Sequence, residues 1–514
     1  MVELAGKFAF HLGALITNTA TGADAGARAQ GGLAGFFAKF AVFKDAIPEL
    51  WIVFAIKLFT IAAYALTNMT IVLWLEADLG FNDKQALPWV AAWSFTMTGA
   101  TLLVGSLTDA LGMRRTLFLG TWLCIAARCV MAFVTGKWTA IAAGLMPLAI
   151  GEALLGPVLV AGTRQYSNTR QRSMSFSIVY VMMNGGFLIA PLIFDSVRSA
   201  LGEHGHFGFL GADVSTYRAI FLCSMILQVV SLPLIYLIRE GVEMTDEGIS
   251  KREPKPKYPG ENVVRKIALT ALDAMRETKD LFVTLCRQAG FYRLLAFLML
   301  IAFLKLIFMQ MYYVYPTFGI RELGNGAPVG KLWAVNSIVV VCIVPVIGAL
   351  TQRFSAYTMV IVGGLISAAS VFIMAAPTQW FAGLAQGWGG NFVGHWYLGL
   401  KGEVNPYYVM IALFVVLLSF GEAFYSPRVY EYAAAIAPKG QEASYSALSY
   451  IPFLLAKLLI GTFSGFLLTQ YCPPEGPRHS QTMWLMVALT SLIAPVGLVT
   501  LRRFIRVHEA GREN

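Results

Sequence analysis

Charged residues are scarce in this 514-residue chain, because Asp, Glu, Lys and Arg together make up only 13% of it. Hydrophobic residues make up 57%, and the mean hydropathy is +0.64. Soluble globular domains carry about 25% charged residues, so the composition excludes them and indicates a polytopic membrane protein. The net charge of +10 is then better explained by loops facing anionic lipid headgroups than by a nucleic-acid partner.

Cysteine is sparse as well, and its six copies follow no functional spacing. No CxxC pair or other metal-binding pattern occurs, so neither a metal site nor a disulfide framework is predicted. The chain also lacks a nucleotide-binding loop and a nucleophile constellation. We therefore expect a protein that is not an enzyme, has no catalytic residues and needs no cofactor.

The N-terminal segment, residues 1–47, contains one short apolar piece at residues 8–16 and then a Gly- and Ala-rich stretch. No small-residue cleavage site follows convincingly, so we predict no removed signal peptide. An interfacial helix followed by a flexible segment is the interpretation that the pattern favours.

Apolar runs recur along the rest of the chain, each close to the roughly 20 residues with which a helix crosses a bilayer. They predict an all-α membrane protein with twelve transmembrane helices. The predicted spans cover residues 50–75, 87–104, 117–134, 138–161, 174–197, 217–238, 291–317, 332–350, 359–376, 407–436, 444–468 and 482–501.

A short turn between the second and third spans reads GSLTDALGMRRT. Its glycines permit the close backbone approach that a tight turn needs, and its two arginines mark the cytoplasmic side. The pattern resembles the signature loop of the major facilitator superfamily, G-x-L-x-D-x-x-G-x-R-[RK]. The resemblance implies a gate whose Asp and Arg hold the outward-facing state; a merely charged turn is the alternative. The matching residues are Gly105, Leu107, Asp109, Gly112, Arg114 and Arg115.

The superfamily resemblance implies two pseudo-symmetric six-helix bundles. An excess of Lys and Arg on one side predicts that both termini are cytoplasmic. We expect a monomer in a bacterial inner membrane, with the lipid bilayer as its surroundings. A linker between the two bundles, residues 239–290, begins basic and Pro-rich and then shows helical spacing of apolar residues. This spacing predicts an amphipathic helix on the cytoplasmic face. The predicted parts are an N-terminal segment at 1–47, a bundle at 48–238, a linker at 239–290, a second bundle at 291–503 and a tail at 504–514.

An internal repeat supports this division. Lys57 precedes Tyr64 in the first span as Lys305 precedes Tyr312 in the seventh, at the same spacing. The fourth span contains GEALLGP and the tenth GEAFYSP, while GSLTD of the signature loop has a decayed counterpart, GALTQ. Three matches in the same order indicate two halves with one ancestor.

Charged side chains inside the spans are costly in hydrocarbon and are therefore functional candidates. Lys57 with Glu152, and Lys305 with Glu422, are repeat-equivalent and lie on the four helices that line the central cavity in the superfamily. Ion pairs that merely hold helices together are the alternative, and for Arg128, which has no repeat equivalent, that reading is preferred. The predicted substrate-binding residues are Lys57, Tyr64, Asn68, Glu152, Asn184, Lys305, Gln310, Tyr312, Glu422 and Lys457.

Two stretches, 176–193 and 421–465, resemble the proton-dependent oligopeptide transporter (POT) family. The resemblance implies that Glu422 pairs with a substrate amine. The first span departs from the family because it reads KLFTIAAY in place of an E-x-x-E-R motif, and no lysine precedes Pro157. The residues matching the family are Phe176, Ser177, Tyr180, Asn184, Gly186, Ala190, Pro191, Glu422, Ser426, Pro427, Ala437, Pro438 and Lys439.

The leading functional hypothesis is a secondary active transporter that moves a small polar solute, such as a short zwitterionic peptide, by alternating access. Because the first span has no carboxylate, proton coupling stays open and would need Glu152 or Glu422. Another solute (a nucleoside, a sugar or an exported drug) is the nearest alternative. A non-transporting membrane sensor on the same fold is the alternative from a different class.

Overall fold

The computed structural model describes residues 43–506, with gaps at 252–264, at several positions between 266 and 285, and at 352–353, 437–460 and 462. The described part is mostly helical. Two short segments form π-helices, Ala140–Leu145 and Gly390–Leu398. The helices are α1 (Pro48–Ala77), α2 (Asp83–Leu111), α3 (Met113–Phe133), α4 (Lys137–Gln165), α5 (Thr169–Leu201), α6 (Thr216–Leu237), α7 (Ala289–Tyr313), α8 (Tyr315–Leu323), α9 (Val329–Leu350), α10 (Ala356–Ala375), α11 (Gln379–Gln386), α12 (Pro406–Ile436), α13 (Ser480–Thr500) and α14 (Arg502–Ile505).

Ten helices in the described part of the chain are long and apolar enough to cross a membrane. They confirm a multi-pass helical membrane protein. The helix α2 covers the predicted second span but is not among the ten, and most of the predicted eleventh span lies outside the described residues. The number twelve therefore stays a prediction.

Helix starts and stops follow local chemistry. Both α2 and α5 begin with a capping box, in which the side chains of Asn82 and Asn168 accept a hydrogen bond from the backbone three residues on. Gly112 has a φ of +87° between α2 and α3, a conformation that favours glycine. The turn of the signature loop is thus reduced to one residue.

Two short β-hairpins correct the purely α-helical prediction. One pairs His206–Phe209 (β1) with Ala212–Ser215 (β2) between α5 and α6, and the other pairs Val242–Thr245 (β3) with Gly248–Lys251 (β4) in the linker. Each is a single antiparallel pair outside the apolar runs, where water can satisfy the free strand edges. The linker positions described between residues 265 and 283 are helical, as the spacing predicted.

The helices pack in two sets. In the first, α1 contacts α5 and α6, and α3 contacts α4 and α6. In the second, α10 contacts α12 and α13, and α9 contacts α12. Among the described helices, the main contact between the sets joins α5 to α9, with smaller contacts between α1 and both α7 and α8.

Glycines at equivalent positions of the repeat allow two equivalent close helix contacts. A Cβ on Gly151 of α4 would lie 3.1 Å from the carbonyl oxygen of Gly120 on α3, and one on Gly421 of α12 would lie 2.8 Å from that of Gly363 on α10. Only glycine permits such an approach without a shift of the backbone. The residue that follows each glycine, Glu152 or Glu422, is thereby held at a corresponding place in each half.

Candidate functional site

Three charged side chains of the first half lie close together between α1, α3 and α4. Arg128 of α3 is fully buried and forms an ion pair with Glu152 of α4, while its Nε donates to Thr67 Oγ1 at 3.3 Å. Lys57 of α1 is 6% exposed and interacts electrostatically with Glu152. The carboxylate of Glu152 is therefore bound by Arg128, which has the pairing role expected for this arginine. Lys57 interacts with Glu152 only at longer range.

The second half repeats the lysine and the glutamate of this arrangement, and none of its described residues corresponds to Arg128. Lys305 of α7 and Glu422 of α12 are partly buried and interact electrostatically. The ammonium nitrogen of Lys305 lies 5.2 Å from the centre of the Tyr425 ring, a cation–π contact. Glu422 Oε2 accepts a hydrogen bond from Asn336 Nδ2 at 3.2 Å.

Tyrosines connect the two charged groups. Tyr64 lies near Tyr312, Tyr313 and Glu152, and Tyr312 lies near Glu422. The Tyr313 hydroxyl donates to Asn68 Oδ1 at 3.2 Å, a bond between α1 and α7. The predicted residues of the first, fourth, seventh and tenth spans are thus brought to one place.

The remaining predicted residues make local bonds or lie elsewhere. Asn184 Nδ2 donates to the carbonyl oxygen of Tyr180, one turn earlier in α5, at 2.9 Å. Gln310 Oε1 accepts from Ser464 Oγ at 2.8 Å, a link between α7 and the helical residues after 460. Lys457 lies outside the described residues.

The gate motif is described only in part. The backbone of Gly105 and Asp109 belongs to α2, but their side-chain surroundings lie outside the description. The Arg114 guanidinium stacks 4.9 Å from the Tyr236 ring centre, and Arg115 Nε lies 3.6 Å from Glu240 Oε1. Both contacts are made within the first half of the chain.

A second polar cluster, here called the outer network, joins the end of α5 to the start of α9. Asp195 accepts hydrogen bonds from the backbone N–H of Gly330 at 3.0 Å and of Lys331 at 2.7 Å. Arg198 donates to the carbonyl oxygen of Ala327 at 3.0 Å and to Glu203. The first turn of α9, which has no side-chain cap of its own, is therefore capped by a carboxylate from the other half.

Glu203 completes the outer network from the loop after α5. It accepts from Arg198 Nε at 3.0 Å, from the Tyr217 hydroxyl and from the backbone N–H of Gly326. Burial alone would raise the pKa of Glu203, but the bonds and charge of Arg198 outweigh it and hold this pKa below its ordinary value of 4.5.

Arg321, at the end of α8, makes a further set of bonds between the halves. Its Nη2 donates to Asp83 Oδ1 at 2.8 Å and to Glu76 Oε2 at 3.2 Å, and its Nη1 donates to the carbonyl oxygen of Cys472 at 2.6 Å. Arg321 follows the seventh predicted span, 291–317, so the sequence by itself indicates only a loop charge. For the outer network, the one pattern in the sequence was the spacing of Asp195 and Arg198, which are three residues apart near a helix end. That spacing did not identify a partner on α9.

Comparisons with known proteins concern the family and the fold of the chain. A family model described as the Major Facilitator Superfamily matches residues 53–397. A stretch of 136 residues is 32% identical to the methyl viologen resistance protein SmvA of Salmonella typhimurium, covering 26% of each chain. A stretch of 161 residues is 30% identical to a di-/tripeptide transporter of Lactococcus lactis, covering 31% of each. The matches therefore span less than a third of the length of these curated relatives.

Solved structures share the fold along nearly the whole chain. A POT family transporter crystallised with 5-aminolevulinic acid has a TM-score of 0.65 at 14% identity, covering 89% of this chain and 96% of that one. A structure described as giving insights into substrate recognition in proton dependent oligopeptide transporters has a TM-score of 0.61 at 18% identity, covering 89% and 99%. The resemblance to POT transporters is thus confirmed at the level of the fold.

Proposed function

Because the chain belongs to the Major Facilitator Superfamily, we propose that it is a secondary active transporter that moves a small polar solute by alternating access, with short peptides as the leading class. Twelve transmembrane helices in two pseudo-symmetric six-helix bundles complete the proposed architecture. The proposal further places both termini in the cytoplasm of a bacterial cell and treats the transporter as a monomer in the inner membrane.

The observation that carries the proposal is the convergence of repeat-equivalent charges. Lys57 and Glu152 from one half, and Lys305 and Glu422 from the other, lie near Tyr64 and the neighbouring tyrosines of α7, where the Tyr313 hydroxyl bonds Asn68 of α1. Intramembrane charges gathered between two related halves are typical of substrate and ion pathways. A sensor that no longer transports would have no need of them in both halves.

Contacts at the outer helix ends support alternating access. The outer network ties α5 to α9, and Arg321 ties α8 to the acidic residues Glu76 and Asp83. In the proposed topology both lie on the outside, so this conformation is closed outward. We expect these bonds to break when the site opens to the outside.

A short peptide fits the polar groups better than the nearest alternative. Glu422 offers a carboxylate to an amine, and the Lys57 and Lys305 ammonium groups and the tyrosine hydroxyls can bind a carboxylate and amide groups. Export of an organic dication, favoured by the match to a methyl viologen resistance protein, requires cations to enter beside two lysines, which electrostatic repulsion opposes.

Proton coupling, if present, is assigned to Glu422. Glu152 is bound by Arg128, and protonation of Glu152 would leave that arginine as an unpaired buried cation. Glu422 has only the neutral amide of Asn336 within hydrogen-bond distance among the described residues, so its protonation breaks no ion pair.

Uptake of radiolabelled alanyl-alanine into proteoliposomes tests the proposal. With an inward proton gradient the wild type should accumulate the peptide. Glu422→Gln should lose accumulation but retain exchange, and Glu403→Gln, at an exposed loop carboxylate, should behave like wild type. The peptide proposal is wrong if no peptide is taken up while another solute is, and coupling through Glu422 is wrong if its Gln variant still accumulates peptide.

A further inference from the structure

The central site carries an excess of positive charge. Its described cations are Lys57, Arg128 and Lys305, and its described carboxylates are Glu152 and Glu422. One arginine and one glutamate cancel in the buried ion pair. Among the described residues, what remains is two ammonium groups and one carboxylate, a net charge of +1.

Neither lysine is neutralised by a direct partner in the described part of the chain. Lys57 forms no hydrogen bond or ion pair there, and its electrostatic interaction is with a glutamate already bound by Arg128. The Lys305 ammonium faces the aromatic rings of Phe308 and Tyr425 at 5.4 and 5.2 Å. A ring face stabilises a cation only partly, and both ammonium groups lie on membrane-spanning helices where an unpaired charge is costly.

Glu422 does not remove this excess when a zwitterionic solute binds. Its Oε2 is held by Asn336 Nδ2, and its neighbour Ser419 Oγ accepts from the same amide at 2.9 Å. An amine of the solute would satisfy this carboxylate, and one carboxylate of the solute would satisfy one lysine. The second lysine would still lack an anionic partner.

We propose that the site selects solutes that carry one more carboxylate than ammonium group, so that a net-negative solute neutralises both lysines. This inference rests on the proposed transport function and names the charge class of its substrate. It follows from Arg128, which has no equivalent among the described residues of the second half and takes the Glu152 carboxylate away from Lys57. Without that arginine the four remaining charges would balance and a zwitterion would suffice.

Thermal stability of the purified protein at neutral pH, measured with pairs of solutes that differ by one carboxylate, tests the inference. The pairs are alanyl-alanine with alanyl-glutamate, and glucose with glucuronate, and acetate serves as a free carboxylate. Because one charge-assisted contact is added, we expect alanyl-glutamate to bind with a Kd about tenfold lower than alanyl-alanine. A ligand that binds only the folded state raises the melting temperature, so the shifts report these affinities.

Lysine variants connect the preference to the site. Lys57→Met and Lys305→Met keep the side-chain length but remove the charge, and each should reduce the ratio of the two Kd values to near one. Lys305→Arg, which keeps the charge, should retain the preference, as should Lys401→Met at an exposed lysine outside the site. A preference that survives both Met variants would overturn the inference.

The outcomes separate this inference from the peptide proposal. Equal binding of the two dipeptides refutes the charge preference but leaves peptide transport standing. Binding of glucuronate above glucose, with no response to either dipeptide, refutes the peptide proposal and keeps the charge preference. The inference is overturned if acetate stabilises the protein as strongly as alanyl-glutamate does. It is also overturned if no anionic solute stabilises the protein.

Discussion

Replacing Asp195 by Asn should shift the transporter toward the conformation that is open to the outside. The two carboxylate oxygens of Asp195 accept one backbone N–H each from Gly330 and Lys331, and Oδ1 also lies 3.2 Å from Arg198 Nη1. The amide of Asn has one acceptor oxygen and one NH₂ donor. One of the two backbone N–H groups of α9 would therefore face a donor and lose its partner.

The size of the effect follows from the bonds that change. A hydrogen bond to a charged group contributes about 1.5–3 kcal/mol, and the carboxylate also interacts favourably with the positive end of the helix dipole. Arg198 keeps Glu203 as its partner, so no buried charge is stranded. A loss of about 2 kcal/mol from the outward-closed state alone corresponds to a change of about 30-fold in the ratio of closed to open molecules.

Distances between spin labels on the outer side measure this ratio. Suitable positions are Leu210→Cys on the hairpin tip in the first half, which is 84% exposed, and Lys401→Cys in the second, in a background without the exposed Cys129 and Cys342. Asp195→Asn should add a population at longer distance. The matched control is Asp213→Asn, because Asp213 is exposed and pairs with His206 within the same hairpin.

A second variant disturbs the same contact between α5 and α9 by steric repulsion. A methyl group on Gly330 would lie 2.3 Å from the carbonyl oxygen of Pro191 and 2.9 Å from Asp195 Cγ. Gly330→Ala should therefore also favour the longer distance. An unchanged distance distribution in both variants, accompanied by a lower melting temperature, would show that the outer network stabilises the fold and does not select a state.

Three further predictions concern stability. Gly421→Ala should destabilise the protein by about 1–3 kcal/mol, because its methyl group would lie 2.2 Å from Ser367 Oγ, whereas Gly156→Ala, with open space around its Cβ, should leave the melting temperature nearly unchanged. Arg128→Met strands the buried Glu152 and should cost about 3–5 kcal/mol; adding Glu152→Gln should restore much of the melting temperature, and no restoration would contradict the pairing. Since the pKa of Glu203 lies below its ordinary value of 4.5, its stabilisation is complete above that pH and lost as the pH falls through the folded-state pKa. Acidification below about pH 4.5 should therefore lower the melting temperature more in wild type than in Glu203→Gln, and parallel curves would refute this assignment.

Sequence alone determined the class of the protein and most of its helices. A bilayer core admits only segments that satisfy their own backbone hydrogen bonds and expose apolar side chains, so a spanning helix is readable from a local run of residues. The internal repeat could also be recognised from the sequence, because Lys57 and Lys305 each precede a tyrosine by the same number of residues. That symmetry alone predicts four of the candidate site residues, Lys57, Tyr64, Lys305 and Tyr312.

Tertiary structure decided which charges pair. Lys57 and Arg128 were both available to Glu152 by sequence, and the close packing of α3 on α4 at Gly120 and Gly151 gives that carboxylate to the arginine. The pair depends on the distance between two helices, which no local pattern contains. The excess positive charge of the central site follows from this choice.

The outer network shows the same limit at longer range. Asp195 accepts from the backbone of Gly330, 135 residues later in the chain, and nothing in the sequence around either group identifies the other. The first turn of α9 has free N–H groups because its own N-cap, Pro328, supplies no side-chain acceptor. A local pattern can show that such groups need a partner, but only the packing of α5 against α9 determines which residue supplies it.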